Sequence, residues 1–253
     1  LSRLHATLAK LGTSLEKYRF SEGESLIYEF FWHNFCDWYL EIIKERLGEP
    51  MVQRVSLYVL KQSLRMIHPF MPFVTEEIYS RMTEDSASLA KDPWPPFERK
   101  WINKNVERQM NTLIELIGTI RNLKSSCNVS PQEAIDIVFV GAQNDTLSFL
   151  KSHEAILRRL VKIRNLRTEA TGSKPKDSVG GVVEKIKFFI PLEGMIDIQK
   201  ERERIVKELN EQKAHLKRIS LRLKNKDFIQ RAPEEVIEKE KARLKSLGNK
   251  VKE

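Results

Sequence analysis

Leu1, Leu4, Leu8, Leu11 and Leu15 recur at alternating steps of three and four, the spacing that lines one face of an amphipathic helix. The pattern is already running at the first residue, as expected of a piece cut from something longer. Ser21 with Glu24 three positions on has the form of a capping box. Leu26, Ile27, Phe30, Phe31, Phe35, Trp38, Tyr39, Ile42 and Ile43 then predict a buried helix over 22–47, stopped by Gly48 and Pro50. Met51, Val55, Val59, Leu64 and Ile67 predict a third helix over about 51–67. It ends at His68-Pro69, because the residue before proline is driven out of the helical region. Pro72, with Thr75, Glu76 and Glu77 behind it, opens a fourth, short helix.

Residues 83–97, polar and then proline-rich through Asp92-Pro93-Trp94-Pro95-Pro96, read as a long loop. A helix over about 98–125 follows, with Val106, Met110, Leu113, Ile117 and Ile120 on one stripe. After Pro131 the period changes to two, and Ile135, Ile137 and Phe139 predict a strand. Further on, 145–161 read as helix, 162–169 as strand, 170–181 as a loop containing Gly, Lys and Pro, and 182–190 as one more strand. In the last segment Ile205, Leu209, Gln212, Leu216, Ile219 and Leu223, with Ile198 seven residues upstream, keep a heptad period. A second helix starts at Pro233 with Glu234 and Glu235 at its positive end, and Ile237, Leu244, Leu247 and Val251 on its seam. Across the short connection of about 225–232 the two are expected to fold back antiparallel. The fold class is therefore mainly α: a helical bundle (1–97), a helix plus small α+β junction (98–192) and a C-terminal antiparallel coiled-coil hairpin (193–253).

Composition adds one thing to this picture. Lys and Arg number 44 against 35 Asp and Glu, a formal charge of +9, and the excess is concentrated at the far end of the hairpin. Lys213, Lys217, Arg218, Arg222, Lys224, Lys226 and Arg231 face the single acid Asp227. At about 1.5 Å of rise per residue, the first helix carries this tip roughly 40 Å from its base, which suits the grip of a distant phosphate backbone. The competing reading is a solvated coiled-coil face, and periodicity does not separate the two. The two cysteines lie too far apart in sequence to read as a disulfide framework or a paired-cysteine zinc site. No apolar run approaches the ~20 residues of a membrane span. A cytoplasmic setting is expected.

Candidate chemistry is sparse. His33, Cys36 and Asp37 share a helical face and imitate a nucleophile or metal cluster, but the aromatic residues around them, Trp32 included, favour a packed core. No Gly-rich phosphate loop, serine elbow or HExxH is present; Gly180-Gly181 reads as turn chemistry. Arg121 and Lys124, on a helix end beside Cys127 and Asn128, read equally as phosphate ligands or as surface or capping residues. Catalytic and metal residues are expected to be none.

The segment from Tyr28 to Glu41, Tyr-Glu-Phe-Phe-Trp-His-Asn-Phe-Cys-Asp-Trp-Tyr-Leu-Glu, resembles the anticodon-binding bundle of the valyl-tRNA synthetases. His68 to Ile78 resembles a helix junction shared with the leucyl, isoleucyl and methionyl enzymes. Pro191 to Asp197, the heptads, and the stretch from Leu223 through Ala232-Pro233-Glu234-Glu235 to Glu240 resemble the valyl enzymes' coiled-coil arm. The resemblance implies a tRNA-binding, non-catalytic part of a class I synthetase, a monomer whose partner is tRNA(Val), held by anticodon stem-loop and outer corner. ATP and Mg are implied for the full enzyme and no cofactor for this stretch, since the HIGH and KMSKS signatures are absent. It also implies that one bundle helix precedes residue 1. Two other readings stay open: a coiled-coil protein-docking module, with Gln212 and Glu240 setting register, and the same region of an isoleucyl or leucyl enzyme.

Overall fold

The leading leucine stripe becomes α1 (Ser2–Glu16), with Leu4, Leu8 and Leu11 at most 2% exposed. The computed structural model describes residues 1–83, 88–141, 143–169, 174–195, 198–224, 236–239, 241, 243 and 244. They form two units, 1–115 and 116–253, whose division falls inside one long helix.

In the first unit α1 ends at Glu16, and Tyr18, whose φ of 55° is left-handed, turns the chain into α2 (Phe20–Tyr28). Because α2 already begins at Phe20, Ser21 is helical and caps nothing. Its carbonyl accepts the Ser25 hydroxyl at 2.9 Å instead. The capping-box expectation is thus corrected. The helix continues without a break to residue 46, but not as one α-helix: Glu29–Leu40 wind as a π-helix, followed by α3 (Glu41–Ile43) and a 3₁₀ turn (Lys44–Arg46). A π-helix bonds i to i+5, so residues five apart share a face. Phe30 and Phe35 are accordingly both buried, in one cluster with Leu4, Leu8, Leu11 and Ile27. Asn34 Nδ2 reinforces this winding by donating to the Glu29 carbonyl at 2.8 Å. Trp32, expected in the core, is left 51% exposed.

Next come α4 (Pro50–Ile67) and α5 (Pro72–Met82), each with proline at its start, where the missing N–H costs nothing. Asp92 anchors the proline-rich loop beneath them. Its carboxylate accepts from Arg65 Nε (3.0 Å) and Nη2 (2.6 Å) and from the Tyr79 hydroxyl (2.6 Å). α6 (Lys104–Ser126) starts six residues later than the apolar stripe predicts, because Asn103 Oδ1 accepts the N–H groups of Asn105 and Val106, both at 3.1 Å. Val106 is consequently exposed, whereas Leu113, Ile117 and Ile120 are fully buried.

The second unit carries the small α+β part. β1 (Ile135–Val140), α7 (Asn144–Val161) and β2 (Ile163–Glu169) make a parallel β-α-β crossover. β3 (Ser178–Val183) and β4 (Ile186–Pro191) make an antiparallel hairpin, giving the order β2-β1-β4-β3. The single strand expected over 182–190 is therefore two strands, turned at Glu184 (φ 49°). Gly180 and Gly181 lie inside β3, not in a turn. A Cβ on Gly180 would meet the Phe189 ring at 2.6 Å, and one on Gly181 the Phe188 ring at 2.7 Å, so neighbouring aromatics fill the space the glycines leave. α8 (Ile198–Lys224) follows, and residues 236–239, 241, 243 and 244 are helical. The connection expected at about 225–232 and the helix start at Pro233 lie outside the described residues.

Tyr79 and Arg65 hold the Asp92 carboxyl below the usual aspartate range. Asp92→Asn is therefore expected to cost about 1–3 kcal/mol in urea unfolding at pH 7. A folded-state pKa below the unfolded value gives stability that is present above about pH 4 and lost as the pH falls through the folded value. The gap between the two proteins should accordingly close toward acid pH.

Candidate nucleic-acid interface

α8 is 27 residues long, about 40 Å. Along it Ile219 is buried and Leu209, Gln212, Leu216 and Leu223 are half-buried, while Lys213, Lys217, Arg218 and Arg222 are exposed. At about 100° per residue, Lys213 and Lys217 project about 80–120° to one side of this seam and Arg218 and Arg222 about 100–140° to the other. The four cations thus flank the seam in two rows instead of crowding one face, leaving the seam itself for packing. The helix of Lys224 is described but its side chain is not; Lys226 and Arg231 lie outside the described residues. At the base of α8, Arg204 Nη2 donates to the Ser126 carbonyl at the end of α6 (2.8 Å), a favourable place for a cation beside a helix C-terminus.

Arg121 and Lys124 have a different task. Lys124 is 3% exposed, and its ammonium donates to the carbonyls of Pro131 (3.0 Å), Glu133 (2.7 Å) and Val161 (3.5 Å). Arg121 donates to the Leu160 carbonyl at 3.3 and 3.0 Å. Arg121 thus serves the last turn of α7, whereas Lys124 chiefly ties down the loop before β1 and reaches the end of α7 only with its longest bond, so the buried Lys124 is a structural capping group. Burial pushes the Lys124 pKa down.

In the first unit His33 Nδ1 lies 3.0 Å from Asp37 on an exposed face. Cys36 packs against the core, where burial, then Asp37, push its thiol pKa up, the reverse of what activates a thiolate. Among the described residues no group of three or more His, Cys, Asp or Glu could hold a metal ion, and no helix is long and apolar enough to cross a membrane.

A groove of about 1010 Å³ is lined by α2, the π-helical stretch, α4 and α5. Tyr28 and Trp32 stand in it with parallel rings, 7° apart in plane and 6.3 Å between centroids, each more than half exposed. Phe70, Met71, Val74 and Ile78 supply apolar lining, and Glu24 and Glu29 the charge. Among the described residues no lysine or arginine lines it.

The model of the anticodon-binding domain of tRNA ligase matches residues 1–139, more than half the chain. The chain belongs to the tRNA-ligase anticodon-binding family. The valyl tRNA synthetase tRNA binding arm matches residues 197–253, the segment that holds α8. The valine--tRNA ligase of Carboxydothermus hydrogenoformans is 33% identical over 249 residues, and that of Thermotoga maritima 33% identical over 247. The corresponding enzyme of Geobacillus stearothermophilus is 30% identical over 247. These alignments take in 95–96% of this chain but only 28% of each relative's length.

With the family established, the groove is the feature that reading the residues alone missed. The signal available was the spacing of Tyr28 and Trp32: four residues apart and off the apolar stripe, they share one outward face in an α-helical winding as well. If Lys124 is a capping group, Lys124→Met should lower the unfolding free energy by about 1–3 kcal/mol, because it leaves buried carbonyls unpaired. It should also leave the salt dependence of RNA binding unchanged; a flatter salt slope would place Lys124 at a phosphate.

Proposed function

We propose that this chain is the tRNA-holding C-terminal part of a valine--tRNA ligase. It grips tRNA(Val) at the anticodon stem-loop through the first unit and at the outer corner through the arm. The observation that carries the reading is the order of the two family matches, anticodon-binding domain then valyl-type arm, on one chain. The exposed cations flanking the α8 seam support it. They are spread over ten residues, about 13 Å of helix, a span on which several backbone phosphates fit. Attachment of valine, with its ATP and Mg, is assigned to the catalytic portion of the enzyme, and the protein is proposed to act as a cytoplasmic monomer. The seam of α8 is proposed to pair with the helix around 236–244 as an antiparallel coiled coil, so that the arm is an internal hairpin and not a docking module.

Contacts far from the reacting atoms stabilise ground and transition states alike. In the whole enzyme their loss should therefore raise KM for tRNA more than it lowers kcat. Replacing Lys213, Lys217, Arg218 and Arg222 together by Glu is expected to weaken tRNA binding and to flatten its log–log salt slope by about 2–4, roughly 0.7–0.9 for each phosphate released. An unchanged slope would make these residues a solvated face. Sedimentation that shows mass rising with protein concentration would favour the docking reading instead.

A further inference from the structure

We infer that His5 is an acid-sensitive latch: its neutral ring pins the strap 97–101 to α1, and protonation of the ring releases the strap. His5 has no exposed surface. Its ring lies 6.5 Å from that of Phe97 and, nearly parallel at 16°, 6.4 Å from that of Trp101. Its Nδ1 accepts the backbone N–H of Glu98 at 3.2 Å. A nitrogen that accepts carries no proton, so the neutral ring bears its hydrogen on Nε2. That Nε2 is buried and, among the described residues, has no hydrogen-bond partner.

The closed latch therefore makes one bond and leaves one donor unpaired. A second proton can bind only at Nδ1, where the new N–H would meet the Glu98 N–H donor to donor. Both ring hydrogens would then lack acceptors inside the core, and a buried charge without partners is unstable. Water is the remedy, and the strap is the part that can give way, since Phe97 and Trp101 are 47% and 42% exposed. Burial is the largest influence holding the ring neutral; Glu98 opposes it, and the amino group at Leu1 and Lys100 assist it. The Glu98 carboxylate is already engaged by Lys100 and Trp101. Glu107, which reaches the first turn of α1 from α6, is held by Ser2 and Lys104.

With the strap open the ring has the ordinary histidine pKa of about 6.5; with it closed the pKa is lower. Protons thus favour the open form. The contribution of closure is complete above about pH 6.5 and is lost as the pH falls toward the closed-state value, the open-to-closed ratio rising about tenfold per pH unit in between. This inference does not rest on the tRNA-holding function proposed above.

NMR of the chain between about pH 8 and pH 5 reads ring and strap together, on either side of the ordinary histidine pKa. His5 should carry its proton on Nε2 and titrate below the ordinary histidine value. Protection of the Glu98 amide, corrected for the intrinsic exchange rate, should fall about tenfold per pH unit below about pH 6.5, while Val59 in α4 stays protected. His5→Asn keeps an acceptor oxygen near the Nδ1 position and cannot titrate, so its Glu98 protection should not change with pH. His5→Phe keeps the ring and loses the acceptor, so Glu98 should be poorly protected already at neutral pH. A proton on Nδ1 at neutral pH, Glu98 protection that is flat across the titration, or the same loss in His5→Asn overturns the inference. So does loss of protection at Glu98 and Val59 together, which would be acid unfolding of the whole unit. The measurements on the unmodified chain decide the matter even where a variant fails to fold.

Discussion

The first unit depends on one packing constraint: the leucine face of α1 must be filled by an aromatic-rich segment with too many large side chains for a single α-helical stripe. Ile27, Phe30 and Phe35 pack with Leu4, Leu8 and Leu11, and burying two phenylalanines five residues apart requires the wider winding of Glu29–Leu40. Stacked contacts from Phe31 to Phe35 (5.9 Å) and from Phe35 to Tyr39 (5.7 Å) run along that winding. π-helical turns are costly enough that they concentrate where function needs them. Here the stretch that satisfies the core also carries Trp32, exposed beside Tyr28 at the end of α2. Groove and core therefore have a common origin in one stretch of sequence.

Charge is divided between the two features. The groove carries carboxylates and aromatic faces, and the exposed cations of α8 flank an apolar seam. A nucleic acid presents phosphates along its backbone and base edges only where strands open, so a protein that meets both needs surfaces of opposite character. Lys124, Arg121 and Arg204 spend their charge on backbone carbonyls of helix ends and of the loop before β1, which shows that a net charge of +9 is not a count of available phosphate ligands.

Much of the fold was legible because the helices are strongly periodic and their ends carry strong punctuation. α4 and α5 begin at Pro50 and Pro72, and the heptads over 205–223 mark α8. Where reading failed, a local device had displaced the periodic one. Asn103, not the apolar stripe, sets the start of α6. A left-handed Tyr18 moves the start of α2 ahead of Ser21 and strands the capping box. Glycines at 180 and 181 look like a turn until the rings of Phe188 and Phe189 are seen over them, so the hairpin β3–β4 was read as a single strand. Of the seven basic residues singled out, Lys213, Lys217, Arg218 and Arg222 are exposed on α8. The groove was not read from the sequence, although Tyr28 and Trp32, four residues apart and off the apolar stripe, share one outward face.

The central claim is that one chain holds one tRNA at two distant places. Hydroxyl-radical footprinting of valine tRNA bound to this chain measures that directly. Two separate protected regions are predicted, one in the anticodon loop and one at the outer corner where the D and T loops meet, with the second lost when residues 197–253 are removed. A single protected region that survives this truncation would contradict the account.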